Sequence, residues 1–219
     1  MYQPAHFVES RPEVLHELLR QHPLGLLITH GPDGLAANTI PFLLEPATGA
    51  GGPEGACGQL VGHVARANPL WKTASAESEV LVVFQGPQAY VSPGWYPSKA
   101  ETGKAVPTWN YVMVQAHGRL RAVDNPVAAR SIVSRLTAVH EANQARPWSV
   151  DDAPPDYLDA MLRAIVCIEI AVDKLEGKWK VSQNQPAANR AGVVAGLHAV
   201  GGDEAAAMAR LVDKRSVDN

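Results

Sequence analysis

Three short segments of the chain combine basic and polar side chains in patterns that could hold an anion. In the first, His63 and Arg66 stand at the end of a predicted strand and Asn68 stands where a helix begins. Free backbone N–H groups at a helix start, the helix dipole and a forked guanidinium all favour a phosphate. The same residues suit a plainer interpretation, in which Arg66 forms a surface ion pair and Asn68 only caps the helix. The residues alone leave both interpretations open.

The other two segments are Lys178–Asn184 and Trp109–Tyr111. In Lys178–Asn184, two lysines separated by one residue lie on the same face of a predicted strand end. Hydroxyl and amide side chains follow them. This pattern predicts either contacts to an anion or an ordinary solvated strand edge. Trp109–Tyr111 places aromatic stacking surfaces beside the amide of Asn110.

Motifs for hydrolytic or metal chemistry are missing from the sequence. No G-x-S-x-G elbow surrounds Ser92 or Ser182, so both are weak nucleophile candidates. There is no C-x-x-C pair, and the eight histidines never form an H-x-x-x-H pair. We therefore expect neither a hydrolase nor a metal site, and no catalytic residue is assigned.

Composition narrows the class of partner. The 219 residues carry a formal net charge of -3, so nucleic-acid binding must rest on a local patch or not occur. The two cysteines fit a reducing compartment rather than a disulfide framework. The N-terminus lacks a basic-then-apolar leader, and no apolar run approaches 18 residues. The expected location is the cytoplasm, with no membrane association.

The predicted elements favour a mainly β, α+β fold: an antiparallel barrel with peripheral helices. Apolar and β-branched runs predict strands over 24–30, 35–44, 59–65, 80–85, 89–92, 108–123 and 165–172, with a closing segment over 176–185. Helical spacing and capping residues predict helices over 11–22, from 68, from 126, and over 155–163, 186–200 and 203–212. A Rossmann fold would need alternating parallel strands and a G-x-G-x-x-G, and neither is present.

Two connections stand out. Residues 93–107 form a predicted loop of about fifteen residues, which is longer than most connections in compact domains. Because it is rich in aromatic residues, we expect it to be ordered, either at a ligand or partner surface or packed on its own core. The glycine-rich segment 46–58 lacks the P-loop pattern and is interpreted as a flexible hairpin tip.

Several blocks resemble the PaiB-type FMN-binding negative transcriptional regulators: LGLLIT, NTIPFLL, GHVARANPLWK, YVSPGWYPSK, VPTWNYVMVQAHGRL and KWKVSQNQP. The resemblance runs in order from Met1 to about His198. Two features depart from the family pattern. Gly94 stands where a serine is expected, which puts a hydroxyl contact there in doubt, and the insertion over 49–55 is long.

The resemblance implies an FMN-binding split β-barrel, related to pyridoxamine phosphate oxidases and flavin reductases, over residues 1–200, with a helical tail over 201–219. It also implies a homodimer with flavin sites at the subunit interface. By position, Asn38, Thr39 and Pro41 would run beside the isoalloxazine ring, and His63, Arg66 and Asn68 would hold the phosphate. The candidates for closing the site, from the same or the partner subunit, are Trp109, Asn110, Lys180 and Gln183.

Two functions compete at this point. As a regulator the protein would lower transcription, yet the sequence has no helix-turn-helix signature, so DNA binding lacks support and regulation could act through a partner or indirectly. As a small oxidoreductase it would pass hydride between a nicotinamide dinucleotide and FMN. Haem binding is a weaker third alternative, because no histidine has a distinctive ligand context.

Overall fold

The computed structural model describes residues 1–47, 56–73 and 79–217. Eight strands lie in this part of the chain: β1 Val8–Glu9, β2 Leu24–Gly31, β3 Gly34–Pro41, β4 Leu43–Glu45, β5 Gln59–Ala65, β6 Glu79–Val91, β7 Thr108–Val123 and β8 Ile165–Lys180. The helices described there are α1 Pro12–Gln21, α2 Leu70–Thr73, α3 Ser98–Thr102, α4 Pro126–Glu141, α5 Pro155–Arg163, α6 Ala187–Val200 and α7 Asp203–Val217. Short 3-10 turns occur at Ala5–Phe7, Pro93–Trp95 and Val150–Asp152.

The chain folds as two compact units. The first unit comprises residues 1–18, 85–114 and 176–219, and the second comprises residues 19–84 and 115–175. The predicted division between a domain over 1–200 and a tail from 201 stays a prediction. Within the first unit, α7 packs on α6 and buries Met208, Ala209 and Val212.

The strands follow the order β3-β2-β6-β7-β8-β5-β4, and β1 pairs with β8. The pairs β2–β3, β2–β6, β4–β5 and β5–β8 are all antiparallel. In the second unit, β3 and β5 lie against each other although they stand near opposite ends of this order. The sheet therefore curls toward closure, and the predicted antiparallel split β-barrel with peripheral helices is confirmed.

A glycine allows this close approach of β3 and β5. A Cβ atom at Gly62 would lie 3.0 Å from the Pro41 carbonyl oxygen and 3.2 Å from the Ile40 side chain. Larger residues at position 62 would therefore push the end of β3 away from β5. The end of β3 is also held by the Phe42 N–H, which donates to the Pro23 carbonyl at 2.9 Å.

The core of the second unit packs α4 and α5 against the sheet. Asn125 starts α4 as predicted, because its side chain accepts hydrogen bonds from the N–H groups of Val127 and Ala128 while Pro126 occupies the first turn. The buried cluster consists of Val61, Ala129, Ile132, Leu136, Val150, Leu158, Leu162 and Cys167.

The first unit packs α6 against the 3-10 turn Pro93–Trp95. Gly192 and Gly196 lie one helical turn apart on α6, and a Cβ atom at either would come closer than 3.0 Å to Trp95. The absence of side chains at these two glycines thus allows Trp95 to pack directly against α6. The aromatic segment 93–107 is ordered in this way, as expected, and it contains α3.

Three predictions of strand extent were wrong, and the last helix, predicted to end at Val212, continues to Val217. The strands expected over 80–85 and 89–92 are one strand, β6, with no turn at Gly86-Pro87. The strand expected over 35–44 is two, because β3 ends at Pro41 and β4 pairs with β5. The segments expected over 165–172 and 176–185 are joined in β8, which continues to Lys180.

Residues 49–55, in which the long insertion was noted, lie outside the described residues, as does most of the predicted hairpin tip. Among the helices of the described residues, none is long and apolar enough to cross a membrane.

Candidate functional site

A cavity of about 330 Å³ opens in the second unit between β3 and β5. Five of the predicted flavin contacts line it: Asn38, Thr39, Pro41, His63 and Asn68. Apolar side chains complete the wall, from Ile40, Val64, Ala65 and Ile165. The volume is at the lower end of the range of about 300–1,000 Å³ that is usual for small-molecule sites. A mixed polar and apolar wall of this kind suits a planar heteroaromatic ring.

Asn68 links the two sides of this cavity. Its side-chain N–H donates to Asn38 Oδ1 at 2.8 Å, and its own Oδ1 accepts from the Leu70 N–H at 2.9 Å. The second bond caps the short helix α2, as the sequence predicted. Asn68 therefore holds Asn38 and the start of α2 in fixed positions at the rim.

His63 presents a polar atom without a partner. Its Nδ1 is buried and has no hydrogen-bond partner among the described residues. Burial lowers the pKa of the His63 imidazole from its ordinary value, so the ring is neutral at pH 7. Since an unpartnered buried nitrogen is costly, a ligand group that hydrogen-bonds to it would be favoured. The residues present therefore fit a ring with polar edges.

The outer edge of β3 adds backbone groups. In the described strands β3 pairs only with β2, in a register that matches Leu27 with Asn38 and Leu26 with Thr39. Alternate residues of an antiparallel edge strand direct their backbone groups away from the neighbour. Backbone donors and acceptors on this edge can therefore meet the polar edge of a flat ligand.

Arg66 lies outside the cavity lining and is engaged within the second unit. Its Nη1 and Nη2 donate to the Asp124 carboxylate at 2.8 and 2.6 Å, and its Nε donates to the Arg163 carbonyl at 2.7 Å. The Arg66 guanidinium holds the pKa of the Asp124 carboxyl below its usual value. Nη2 also donates to the Ile165 carbonyl. Of the five guanidinium N–H groups, one on Nη1 has no acceptor among the described residues.

The remaining four predicted contacts belong to the first unit. Asn110 and Lys180 line a second cavity there, of about 450 Å³, whereas Trp109 and Gln183 do not. The Trp109 side chain is 54% exposed and meets Tyr90 edge-on, with 6.1 Å between the ring centroids. The Gln183 side chain accepts from the Val181 N–H at 2.8 Å and donates to the Trp179 carbonyl. Gln183 thus stabilises the turn after β8.

Sequence reasoning missed Asp124 and Asn189. Nothing in the local sequence around Asp124 indicates that it pairs with Arg66. Asn189 is 5% exposed on α6 and donates to Ser98 Oγ at 3.0 Å. Its neighbours in sequence, Ala188 and Arg190, give no signal that the Asn189 side chain is buried.

The chain is similar in sequence to several known proteins. Residues 1–174 match the family described as "Putative FMN-binding domain". "Uncharacterized protein AN0679" of Emericella nidulans is 34% identical, with 98% of this chain and 97% of that protein covered. "Protease synthase and sporulation protein PAI 2" of Bacillus subtilis is 27% identical, with 98% of each covered.

Solved structures extend the likeness at the level of the fold. The FAD and haem binding protein from Mycobacterium smegmatis superposes with a TM-score of 0.55 at 15% identity, covering 79% of this chain and 73% of that one. The flavocytochrome Anf3 from Azotobacter vinelandii gives a TM-score of 0.54 at 11% identity, covering 79% and 69%. Taken with the family match over residues 1–174 and the full-length similarity to PAI 2, these findings show that the chain belongs to the PaiB-type family of FMN-binding-domain proteins.

Proposed function

We propose that the protein binds FMN in the cavity between β3 and β5 of the second unit. The observation that carries the proposal is the buried His63 Nδ1, which has no hydrogen-bond partner in the described part of the chain and lies in a cavity lined also by Asn38, Thr39 and Pro41. The family membership supports FMN rather than an unrelated planar ligand. When bound, FMN supplies the capacity to accept and release electrons.

The chain's own residues bind and orient the cofactor. The outer edge of β3, over Asn38–Pro41, offers backbone hydrogen bonds to the polar edge of the ring, and His63 offers one side-chain nitrogen. Arg66 is the proposed phosphate residue, acting through its remaining N–H and its positive charge. Trp109, Asn110, Lys180 and Gln183, the other predicted flavin contacts, belong to the first unit and are not part of the site proposed here.

A homodimer is part of the proposal. Leu24, Leu26 and Leu35 expose 61, 39 and 78% of their surface on the β2–β3 hairpin. Large apolar side chains gathered on an edge hairpin are typical of an interface rather than of a solvated surface. The expected partner is a second copy of the chain, and the mass in solution tests this directly.

Regulation of transcription is the role that the resemblance to the PaiB-type family favours, and we propose that it acts through a partner rather than by direct DNA contact. The helix with the most obvious cations supports this form of the proposal. On α4, Arg130 donates to Asp151 at 2.5 Å and Arg135 donates to Glu45, so both charges are locally neutralised. The alternative proposal is a small FMN-dependent oxidoreductase with a nicotinamide donor, a function that requires no DNA contact.

Titration with FMN and riboflavin tests the cofactor and the role of Arg66 together. Wild-type protein should bind FMN at micromolar concentration or tighter. Arg66→Ala should weaken FMN at least about tenfold and riboflavin much less, because only FMN carries the phosphate. Arg130→Ala serves as the control, since it also removes an arginine paired with an aspartate. No FMN binding at micromolar levels would contradict the cofactor assignment, and equal losses for both ligands would contradict the phosphate role.

Two assays on the same preparation separate the functions. One is retardation of DNA in a gel at physiological salt, and the other is anaerobic reduction of bound flavin by NADPH. Flavin reduction with multiple turnovers favours the oxidoreductase, whereas its absence favours the regulator. DNA retardation at physiological salt would contradict regulation through a partner.

A further inference from the structure

The first-unit cavity has a lining unlike that of the cavity between β3 and β5. Its volume is about 450 Å³, and its polar residues include Lys104, Lys180, Asn110, Ser182, Asn184 and Asn189. Phe7 and Tyr96 provide buried apolar surface. Among the residues that the structure describes, no aspartate or glutamate lines it. A cavity with two lysines and no carboxylate has a positive potential that favours anions.

Lys180 is the central cation. Its Nζ donates to Thr108 Oγ1 at 2.5 Å and to the Trp109 carbonyl, which leaves one of its three N–H groups for a ligand. Lys180 has no carboxylate partner among the described residues. Burial, and then the like charge of Lys178, lower the pKa of the Lys180 ammonium. An anion beside Lys180 would offset both effects.

Neutral donors converge on the same space. The Asn110 side chain is 1% exposed and donates to Ser182 Oγ at 2.9 Å, leaving its second amide N–H available. Ser182 has a φ of 63°, the left-handed region, which turns the chain at the end of β8 and brings its hydroxyl to Asn110. The exposed Asn184 amide follows two residues later.

The start of α6 completes the lining. Pro186 precedes this 14-residue helix and provides no side-chain cap. The first-turn N–H groups of a helix have no acceptor within it, and the helix dipole adds partial positive charge there. Pro186 and Asn189 both line the cavity, so the start of α6 forms part of its wall.

We propose that the first-unit cavity binds the oxyanion group of a small organic acid, either a phosphate monoester or a carboxylate, separately from the flavin. Lys180 supplies the charge, Asn110 and Asn184 supply neutral donors, and Phe7 and Tyr96 contact the organic part. This ligand class does not depend on FMN binding elsewhere in the chain. The anion site and the proposed FMN site can therefore be tested independently.

Isothermal titration of the full-length protein with phenyl phosphate, benzoate and benzyl alcohol tests the proposal. At least one of the two anions should bind, and the tighter one identifies the oxyanion class. The neutral alcohol should bind at least about tenfold more weakly, since hydrogen bonds to charged groups carry the affinity. Binding of the alcohol as tight as that of both anions, or no anion binding at millimolar concentration, overturns the proposal.

Variants assign the binding to this cavity. Lys180→Met should weaken the anion about tenfold or more, and Lys99→Met should not, because Lys99 lies on α3 outside the lining. Asn184→Ala is a second variant that should leave folding unaffected, since this exposed side chain makes no hydrogen bond within the described residues. Its affinity for the anion should be severalfold weaker. Unchanged affinity in both Lys180→Met and Asn184→Ala overturns the assignment.

Competition separates this site from the flavin site. Saturating FMN should leave the affinity for the bound anion unchanged within about twofold. If FMN displaces phenyl phosphate one for one while riboflavin does not, the cavity holds the flavin phosphate and the separate site is refuted. If the protein binds the anion but no FMN, the inference holds and the proposed cofactor fails.

Discussion

The close packing of Trp95 against Gly192 and Gly196 of α6 allows a direct test of the packing in the first unit. Gly196→Ala has two opposing effects on the free energy of unfolding. Alanine in a helix interior is more favourable than glycine by up to about 1 kcal/mol. A Cβ atom at position 196 would, however, meet the Trp95 ring at less than 3.0 Å. Overpacking of this kind costs about 1–3 kcal/mol. When the full propensity gain is subtracted, the expected net destabilisation is about 0–2 kcal/mol.

A second substitution separates the two effects. In a Trp95→Ala background the ring is gone, so Gly196→Ala should become neutral or stabilising by up to about 1 kcal/mol. Gly192→Ala is the matched control, because its Cβ would instead meet the backbone carbonyl oxygen of Trp95. That carbonyl remains in the Trp95→Ala background, so Gly192→Ala should destabilise both backgrounds similarly.

Urea unfolding of the six proteins measures these differences at constant m-value. The reasoning is refuted if Gly196→Ala stabilises the wild-type background. It is equally refuted if removing the Trp95 ring leaves the effect of Gly196→Ala unchanged. Rescue of Gly192→Ala by loss of the ring would show that α6 shifts as a body rather than meeting Trp95 locally.

Two further predictions concern titratable groups. Because the folded state lowers the pKa of His63, the unfolded chain takes up a proton at higher pH than the folded protein, so stability should fall as the pH drops from about 6.5 through the folded pKa. The urea midpoint of His63→Gln should fall less over this interval. Equal pH dependence of the two midpoints would refute the assignment. Burial and nearby carboxylates raise the pKa of the Cys167 thiol to about 11. A thiol reagent at pH 8 should therefore label Cys57 quickly and Cys167 only on unfolding. The variant Cys57→Ser should lack the fast phase of labelling.

Local signals predicted most elements of the fold. The N-cap and proline at Asn125-Pro126 located the start of α4, and unbroken apolar patterns located β5 and β7 to the residue. The failures have tertiary causes. Gly86-Pro87 looks like a turn, yet β6 runs on to Val91, because β7 is hydrogen-bonded to it on the side away from β2. Past Leu81–Val83, the residues paired with β2, the Gln88 N–H donates to Glu204 Oε2 at 3.1 Å.

The candidate site was predictable as two groups of residues but not in its contacts. His63 and Asn68 were found because a strand end and a helix start adjoin in the sequence. The pairing of Arg66 with Asp124 joins residues far apart in the chain, and only the fold brings them together. The same is true of Asn110 and Ser182, whose hydrogen bond depends on the left-handed turn after β8. Chemistry is readable from local pattern, whereas partner choice is not.

The pairing of β1 with β8 has a consequence for synthesis on the ribosome. Val8 pairs with Lys178, and Gln3 donates to the Gly177 carbonyl, so the N-terminal arm has its partners near the other end of the chain. Strand β1 must therefore wait for its partner until the end of β8 has left the exit tunnel. The β2–β3 hairpin joins neighbours in sequence and can form much earlier. A nascent chain arrested before residue 176 should consequently leave residues 1–9 open to protease.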